Sequence, residues 1–371
     1  MEKNYDIIIA GGGLSGLYAA VMLSQHFKVL IIDPDTYPRH KMCGEYLSLE
    51  IETLLKNIGI DLESLSSKKI NNFQFTRNGD HTASTKLPLG GMGISRYTLD
   101  FELYKKVIKK ATFLKERVTD VKYIKDTFQV AVGHSIYKAK QVMLATGKRS
   151  NLDKKLNRDF IKKKSPWLAV KMHYKYDMPN NKVELHAFKG GYAGLSQVEN
   201  GIVNLCYLAH YESFKNYKEI DLFNKKVLSQ NKALQEFFTT AIPQWEKPIA
   251  ISQISFEQKD PVEGKLIMIG DTAGLIHPLC GNGMAMAIHS AHIACKHVNR
   301  FINQEVTRDQ MLMNYAMEWK RTFSSRLRYG RWLQEILLRE KYSNIAYWMI
   351  EKLPFLLPLI IKKTHGKIIL P

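Results

Sequence analysis

Continuous apolar runs along the chain predict a buried parallel sheet. These runs cover residues 5–10, 29–32, 141–145 and 266–269. Strands that are apolar along their whole length are typical of parallel sheets with both faces covered. A glycine-rich turn and an apolar helical pattern join the first two runs, so the chain opens with a complete βαβ unit.

A second pattern begins near residue 165, where short segments alternate with glycine, proline and asparagine. The segments predict an antiparallel sheet and cover residues 167–174, 183–188, 191–196 and 202–208. Helical spacing of apolar residues predicts helices over 97–112, 212–240 and 281–300. The region 306–371 is mostly helical in pattern and is rich in aromatic residues and arginine.

Together these patterns predict an α/β fold. A discontinuous, three-layer, Rossmann-like domain holds an inserted antiparallel-sheet domain, and a helical C-terminal region follows. The first domain is predicted to comprise residues 1–70, 96–160 and 259–305. The inserted domain comprises 71–95 and 161–258, and the helical region 306–371.

The charge balance narrows the classes of partner. The chain carries 54 basic and 35 acidic residues, which gives a formal net charge of +19. Such a charge favours nucleic acid, acidic lipid or an acidic carrier protein. The sequence has no zinc-finger spacing and no helix-turn-helix or RNA-binding signature, so no nucleic-acid partner is expected. A solvated basic surface is the simplest interpretation.

Cysteine use and apolar-run length bear on location. The four cysteines show no metal-binding spacing and predict no metal site; they are Cys43, Cys206, Cys280 and Cys295. The polar start is unlike a signal peptide, and no apolar run is long enough to span a bilayer, so a cytoplasmic location is expected. Residues 347–363 combine aromatics, a short apolar run and lysines. That segment either packs on the inserted domain or contacts a membrane peripherally.

The first chemical motif follows the first strand and consists of Gly11, Gly13, Leu14, Ser15 and Gly16. Glycines at these positions allow a tight turn, close approach to a pyrophosphate, and helix–strand packing. Asp33 ends the second strand about 20 positions later, where dinucleotide-binding proteins place an acid on the adenosine ribose. The combination predicts a dinucleotide site.

The second motif lies far along the chain, where an apolar strand ends in Gly270 and Asp271. Pro278 follows, and a turn then opens the helix over 281–300 with Gly281, Asn282, Gly283 and Met284. Here the chain resembles the FAD-dependent family that includes para-hydroxybenzoate hydroxylase and the geranylgeranyl reductases. The resemblance implies FAD as cofactor and a hydrogen bond between its ribityl chain and Asp271. It also implies that the helix N-terminus faces the flavin pyrimidine.

Further segments match the same family. Residues 38–45 are similar to the Pro-Arg-x-Lys-x-Cys-Gly-Gly segment of geranylgeranyl reductases, with Glu45 in place of the second glycine. The resemblance implies that Arg39 contacts the nucleotide and that Cys43 and Gly44 lie beside the isoalloxazine ring. Further FAD contacts are implied by similarity for Arg96, Thr146 and Gly147.

The chain departs from the family in two places. Lys148 and Arg149 replace the Asp-Gly pair that supports NAD(P)H binding in the hydroxylases, and no second Gly-x-Gly-x-x-Gly is present. NAD(P)H therefore stays open as the electron donor. Tyr192 survives from the aromatic segment that the reductases place over the flavin, but the Trp and Phe-Pro do not. A prenyl substrate therefore does not carry over directly.

The resemblance implies an FAD-dependent oxidoreductase, with three reaction classes open. One is reduction or dehydrogenation of carbon–carbon bonds in a lipophilic isoprenoid, polyketide or acyl-type substrate. The others are hydroxylation of an aromatic ring and redox-neutral cyclisation or isomerisation. The Cys-Gly loop favours the first, and the missing Asp-Gly pair weakens the second. The candidate catalytic residues are Cys43, Tyr192 and Cys280, and both cysteines are expected near the flavin ring.

Overall fold

The computed structural model describes residues 3–65, 69–77, 80–338, 340–353 and 355–369. The strands are β1 (Asn4–Ala10), β2 (Val29–Ile32), β3 (Tyr46–Ser48), β4 (Lys69–Arg77), β5 (Asp80–Gly93), β6 (Thr112–Leu114), β7 (Val118–Ile124), β8 (Thr127–Val132), β9 (Ser135–Leu144), β10 (Trp167–Lys175), β11 (Lys182–Phe188), β12 (Gly191–Gln197), β13 (Ile202–His210), β14 (Ile242–Pro243), β15 (Ile249–Ser252), β16 (Val262–Glu263) and β17 (Leu266–Met268). The helices are α1 (Leu14–Leu23), α2 (Glu52–Asn57), α3 (Leu62–Leu65), α4 (Arg96–Val107), α5 (Asn151–Lys155), α6 (Tyr211–Phe214), α7 (Ile220–Lys226), α8 (Lys232–Thr240), α9 (Gly283–Ile302), α10 (Arg308–Leu338), α11 (Glu340–Lys352) and α12 (Leu356–Thr364).

The first sheet has the strand order β16-β17-β9-β1-β2-β6, and the hairpin β7–β8 joins it through β9. Its central strands are parallel, from β17 through β9, β1 and β2 to β6. The side chains of β1 from Ile7 onward and those of β2 are buried because helix α1, which packs against α4 and α9, covers the sheet. The carboxyl ends of β1, β2 and β9 meet at one edge, where ligands of open α/β sheets bind.

The second sheet has the order β14-β10-β13-β12-β11-β4-β5-β3, with β15 also paired to β10. Its strand pairs are antiparallel, apart from the parallel pair β11–β4. Strand alternation gives β10 two different faces: Val170 and Met172 pack in an apolar cluster with Phe223 and Phe237 of α7 and α8. The two sheets and the helical C-terminal region confirm the predicted α/β fold class.

Three element boundaries differ from the sequence-based expectation. The second sheet begins earlier in the chain than residue 71, because β3 pairs with β5. The helix predicted over 97–112 ends at Val107, and residues 112–114 instead form the edge strand β6. The region 212–240 breaks into three helices, since Lys218 has a positive φ and Asn231 caps the start of α8 with its side chain.

Candidate functional site

The glycine loop after β1 lies where the two carboxyl-terminal strand ends of β1 and β9 come together. A Cβ atom on Gly11 would collide with the carbonyl of Ala145 at the end of β9, and Gly11 has a φ of +113°. A Cβ on Gly16 would collide with the Gly11 carbonyl. Both positions therefore require glycine, one for the turn and one for helix packing.

Asp33 stands at the end of β2 and is tied to the glycine loop. Its Oδ2 accepts a hydrogen bond from the backbone N–H of Gly12 at 2.5 Å. Its Oδ1 pairs with Nη1 of Arg39 at 2.7 Å, and Arg39 Nη2 also donates to the Gly12 carbonyl at 3.2 Å. The structure thus brings the predicted nucleotide residues Asp33 and Arg39 into direct contact.

Cationic side chains face the open side of the glycine loop. A Cβ on Gly13 would have as its nearest neighbour Nη2 of Arg96 at 3.8 Å, which leaves room between loop and guanidinium. Arg96 is fixed by two 2.7 Å bonds to Asp100. Burial, with nearby Arg96 and Arg39, lowers the pKa of Lys41 to about 8. Cationic groups beside open space suit a diphosphate.

The segment after β17 supplies the opposite wall of the same space. Gly270 has a φ of +61°, and a Cβ there would press on Ser15 at the start of α1. The Thr272 hydroxyl accepts from the Gly147 backbone N–H at 2.9 Å, which holds the end of β9 against this segment. Asp271 lines the cavity, and its carboxylate lies close enough to Arg96 to help raise the pKa of that guanidinium.

The turn before α9 is built around Gly281, which has a φ of +62°. Asn282 precedes the helix without capping it by a side-chain hydrogen bond, and its Nδ2 donates to the Thr364 carbonyl at 3.3 Å. Its Oδ1 is buried and has no hydrogen-bond partner in the described part of the chain. The unpaired Asn282 Oδ1 can accept a hydrogen bond, and it lies next to the positive end of α9, which begins at Gly283. This arrangement suits the polar edge of a ring that carries an N–H group. Met284 lines the same cavity.

The loop of Cys43, Gly44 and Glu45 is clamped onto the second sheet. Glu45 has a φ of +56°, a conformation that suits the glycine it replaces. The Gly44 carbonyl accepts from Ser196 at 3.1 Å, and the Cys43 carbonyl accepts from Asn204 Nδ2 at 3.3 Å.

The carboxylate of Glu45 is completely buried and carries several partners. It accepts hydrogen bonds from Nζ of Lys171, from Nε2 of His173 at 2.6 Å and from the Arg96 backbone N–H at 2.7 Å. Burial alone would raise the pKa of Glu45, but Lys171 and His173 outweigh it and hold that pKa below its usual value.

The partners of Glu45 were not predicted from the sequence, although a signal was present. Lys171 and His173 alternate with apolar residues in β10, and this face meets the Cys43 loop rather than solvent. Glu45, His173 and His40 bring three potential ligand atoms within 4.8 Å of one another. The ammonium of Lys171 on the same carboxylate disfavours a divalent cation there.

The predicted catalytic residues line one cavity of about 1380 Å³ that also contains the glycine loop. Burial raises the pKa of Cys280 and of Cys206 to about 12, the latter aided by nearby Cys43. Burial also raises the pKa of Tyr192, and nearby Cys206 and Cys280 add to this rise. These three groups are protonated at neutral pH. Cys206 was not predicted as a site residue; it is a third cavity cysteine on β13.

Beyond this polar end the cavity is apolar. Its walls include Phe75 and Leu185 of the second sheet and Tyr347, Leu357 and Ile361 of the last two helices. Tyr347 stacks on Phe75 with ring centroids 5.3 Å apart. At the rim, Lys148 donates to the Met42 carbonyl at 3.1 Å, so one residue of the pair that replaces Asp-Gly also supports the loop preceding Cys43.

Sequence comparison finds distant relatives along most of the chain, while no family model matches it. The menaquinone reductase of Mycobacterium tuberculosis is 22% identical over 80% of this chain and 77% of its own length. The digeranylgeranylglycerophospholipid reductase of Methanococcus vannielii is 23% identical over 86% of this chain and 83% of its own length. An uncharacterized protein of Methanosarcina barkeri is 24% identical over 84% and 78%.

Solved structures share the whole fold at lower sequence identity. PqsL of P. aeruginosa, solved with 2-aminobenzoylacetate, has a TM-score of 0.75 at 15% identity and covers 91% of this chain and 98% of that one. The halogenase PltM, solved with phloroglucinol and FAD, has a TM-score of 0.74 at 15% identity and covers 97% and 85%.

Proposed function

We propose that this chain, an FAD-dependent oxidoreductase, reduces or dehydrogenates carbon–carbon bonds of a lipophilic substrate. The observation that carries the proposal is a single cavity with a cationic, glycine-lined end and a long apolar end. Bound FAD supplies hydride transfer. Around it the chain provides cations for a diphosphate, an acid at Asp33 for a ribose, and Asp271 for a ribityl chain.

Protonated groups between the two ends support a reduction. Adding hydrogen to a carbon–carbon double bond requires a hydride on one carbon and a proton on the other. The thiol of Cys280 and the phenol of Tyr192 both hold protons at neutral pH, since burial raises their pKa values. Both line the cavity, so either group could supply that proton.

The apolar end of the cavity suits a lipophilic substrate. Aromatic and aliphatic side chains dominate there, and such pockets bind ligands by burying apolar surface. Two relatives are named as reductases of menaquinone and of a geranylgeranylated lipid, both lipophilic molecules. We extend only this class to the chain, as an isoprenoid, polyketide or acyl-type substrate that arrives free, in a membrane or on an acidic carrier. The donor that restores reduced flavin is NAD(P)H or another reductant.

A monooxygenase is the second candidate. It is favoured by the fold shared with PqsL, of which a second structure is named a probable FAD-dependent monooxygenase. A redox-neutral cyclase or isomerase is the remaining alternative, because a reduced flavin can assist without net oxidation of the substrate.

One experiment separates the three reactions. FAD-loaded protein is reduced anaerobically with dithionite and mixed with geranylgeraniol, with the saturated alcohol phytanol as control. We expect the visible absorbance of oxidised flavin to return with geranylgeraniol alone, and the product to gain two hydrogens at a carbon–carbon double bond. Incorporation of isotopically labelled dioxygen into an aromatic probe would instead identify a hydroxylase. Rearranged product with flavin still reduced would identify an isomerase.

A further inference from the structure

The last two helices form one wall of the cavity. The segments Tyr342–Lys352 and Leu356–Thr364, called the C-terminal hairpin below, meet at an angle of 115°. Their inner face is packed: Leu357 and Ile361 lie in an apolar cluster with Ile70 and Leu87 of the second sheet. The hairpin is therefore fixed to the inserted sheet and closes the apolar end of the cavity.

The outer face of the same hairpin is apolar and exposed. Its large exposed side chains that do not line the cavity are Trp348, 58% exposed, and, in the connection between the two segments, Leu353 and Phe355, 38% and 61% exposed. Ten of the nineteen exposed large apolar side chains in the described part of the chain lie between Tyr329 and Ile368, and six of these ten line the open cavity. A helix that is apolar on both faces requires a second apolar environment beyond the protein core.

Cations surround this apolar face. Lys352, Lys362, Lys363 and Lys367 are exposed, and Glu351 is the one acidic residue in the sequence from 342 to 369. Aromatic and aliphatic side chains flanked by lysines match the boundary between acyl chains and anionic headgroups. The charge pattern therefore favours a bilayer over an acidic carrier protein, which would not need the exposed aromatics.

We propose that the outer face of the C-terminal hairpin docks on an anionic phospholipid bilayer, and that the lipophilic substrate enters the cavity from that bilayer across the hairpin. No single helix in the described ranges is long and apolar enough to cross a membrane, although the bent pair passes such a test on length and composition. At about 1.5 Å per residue, α12 is roughly 14 Å long, less than half of a hydrocarbon core of about 30 Å. Two short arms at 115° suit a position along the interface.

The hairpin is also tied to the polar end of the cavity. The Thr364 carbonyl at its end accepts from Asn282, the residue that precedes α9. A little further on, the Ile369 backbone N–H donates to the Glu50 carbonyl at 2.9 Å. A hairpin that shifts on lipid would thus act on both ends of the cavity. The entry of substrate from the bilayer rests on the proposed function, whereas docking of the hairpin on the bilayer does not.

Vesicle co-sedimentation of the FAD-loaded protein tests the docking. Vesicles contain equal parts of phosphatidylglycerol and phosphatidylcholine, or phosphatidylcholine alone. We expect binding to the anionic vesicles that weakens as salt rises, because surface charges are screened. The double variant Trp348→Glu/Phe355→Glu should lose about a hundredfold in partitioning. Its matched control, Ile242→Glu/Met313→Glu, changes two equally exposed apolar residues elsewhere and should stay within about twofold of wild type.

A second pair of variants tests the charge contribution. Lys362→Gln/Lys363→Gln should weaken binding to anionic vesicles about tenfold or more. The matched control is Lys109→Gln/Lys110→Gln, at two exposed positions after α4, which should bind like wild type.

Three outcomes would overturn the proposal. The first is that wild type does not bind vesicles. The second is an equal loss of vesicle binding in the hairpin variants and in their controls. The third is that light scattering shows a dimer, that Trp348→Glu/Phe355→Glu dissociates this dimer, and that the protein does not bind vesicles. The last outcome would make a second copy of the chain the occupant. Failure of docking and failure of the proposed reaction are distinguishable. Turnover of detergent-solubilised geranylgeraniol without vesicle binding removes docking alone, and vesicle binding without turnover removes the reaction alone.

Discussion

The carboxylate of Glu45 accepts a hydrogen bond from the ammonium of Lys171, and both side chains are fully buried. Glu45 lies in the loop that carries Cys43, whereas Lys171 lies in the middle of β10. Removing one member of a buried ion pair leaves an uncompensated charge, which costs about 3–5 kcal/mol. The pair therefore holds the loop against the second sheet as long as both members are present.

The Glu45–Lys171 pair predicts a non-additive double mutant. Glu45→Gly restores the glycine that fits the positive φ, yet it should lower the free energy of unfolding by about 3 kcal/mol because Lys171 is left unpaired. Lys171→Met alone should cost a similar amount. The double variant Glu45→Gly/Lys171→Met should recover part of the loss, because His173 and the Arg96 backbone N–H still lack the Glu45 carboxylate, as measured by urea unfolding.

A surface pair provides the control for this cycle. Glu212 and Lys215 form an ion pair with side chains 61% and 45% exposed. Glu212→Gln should change the free energy of unfolding by less than about 1 kcal/mol. Additive losses in the Glu45 and Lys171 cycle would show that the two residues act independently.

Asp271 predicts a loss of cofactor without loss of fold. It lines the cavity near Arg96 and fills no position in the apolar core. Asp271→Ala should weaken FAD binding by about tenfold or more, since a charge-assisted hydrogen bond to a ligand is removed. Flavin fluorescence titration measures the affinity, and circular dichroism checks the fold. Asp309→Ala, at a carboxylate 79% exposed, is the control that should bind FAD normally. If wild type, Asp271→Ala and Asp309→Ala bind FAD with equal affinity, Asp271 does not contact the cofactor.

The sequence carried enough information for the parts of the site that lie within one strand-turn-helix unit. Gly11 and Gly16 were predictable because the close backbone approaches that they allow follow from local spacing alone, and Asp33 because it ends the second strand of the same unit. The α/β class was predictable for the same reason, since continuous apolar runs separate parallel from antiparallel strands.

Residues that reach the site from the second sheet were not predictable in this way. Lys171 lies 126 positions from Glu45, and His173 lies 128 positions away. In β10 they alternate with apolar residues, a pattern that usually places polar side chains in solvent. Only the packing of the Cys43 loop on that face buries them. Cys206 and the C-terminal hairpin were missed as cavity walls for the same reason, because their role depends on which distant segment covers them.

Lys41 predicts a pH dependence of FAD binding. Its pKa is lowered to about 8 in the FAD-free protein by burial and by Arg96 and Arg39. A bound diphosphate adds negative charge and raises that pKa, so binding takes up a proton above pH 8. FAD affinity should therefore fall as pH rises above about 8, and Lys41→Met should flatten this fall.

The lowered pKa of Lys41 affects the stability of the FAD-free protein in the opposite direction, because stability rises with pH where FAD affinity falls. A lysine with a lowered folded pKa binds fewer protons in the folded state than in the unfolded chain over the window from about 8 to its ordinary 10.5. The free energy of unfolding should therefore receive a contribution from Lys41 that rises with pH across this window. Lys259 also has a pKa of about 8, but it is present in both proteins, so the difference between wild type and Lys41→Met isolates Lys41. Parallel pH curves for the two proteins would contradict the assignment.

Alkylation of the cavity cysteines tests whether Cys43 lies beside the flavin. Cys43 is partly exposed, whereas Cys280 is buried with a pKa raised to about 12 by burial. Iodoacetamide at neutral pH should therefore modify Cys43 well before Cys280, because the thiolate is the reactive form and must be reached by the reagent.

If the loop lies along the ring, bound FAD should slow the alkylation of Cys43 by about tenfold or more, as followed by peptide mass spectrometry. Asp271→Ala, which should bind FAD weakly, serves as the control in which the same FAD concentration protects less. Alkylation of Cys43 at the same rate with and without saturating FAD would place this thiol away from the flavin.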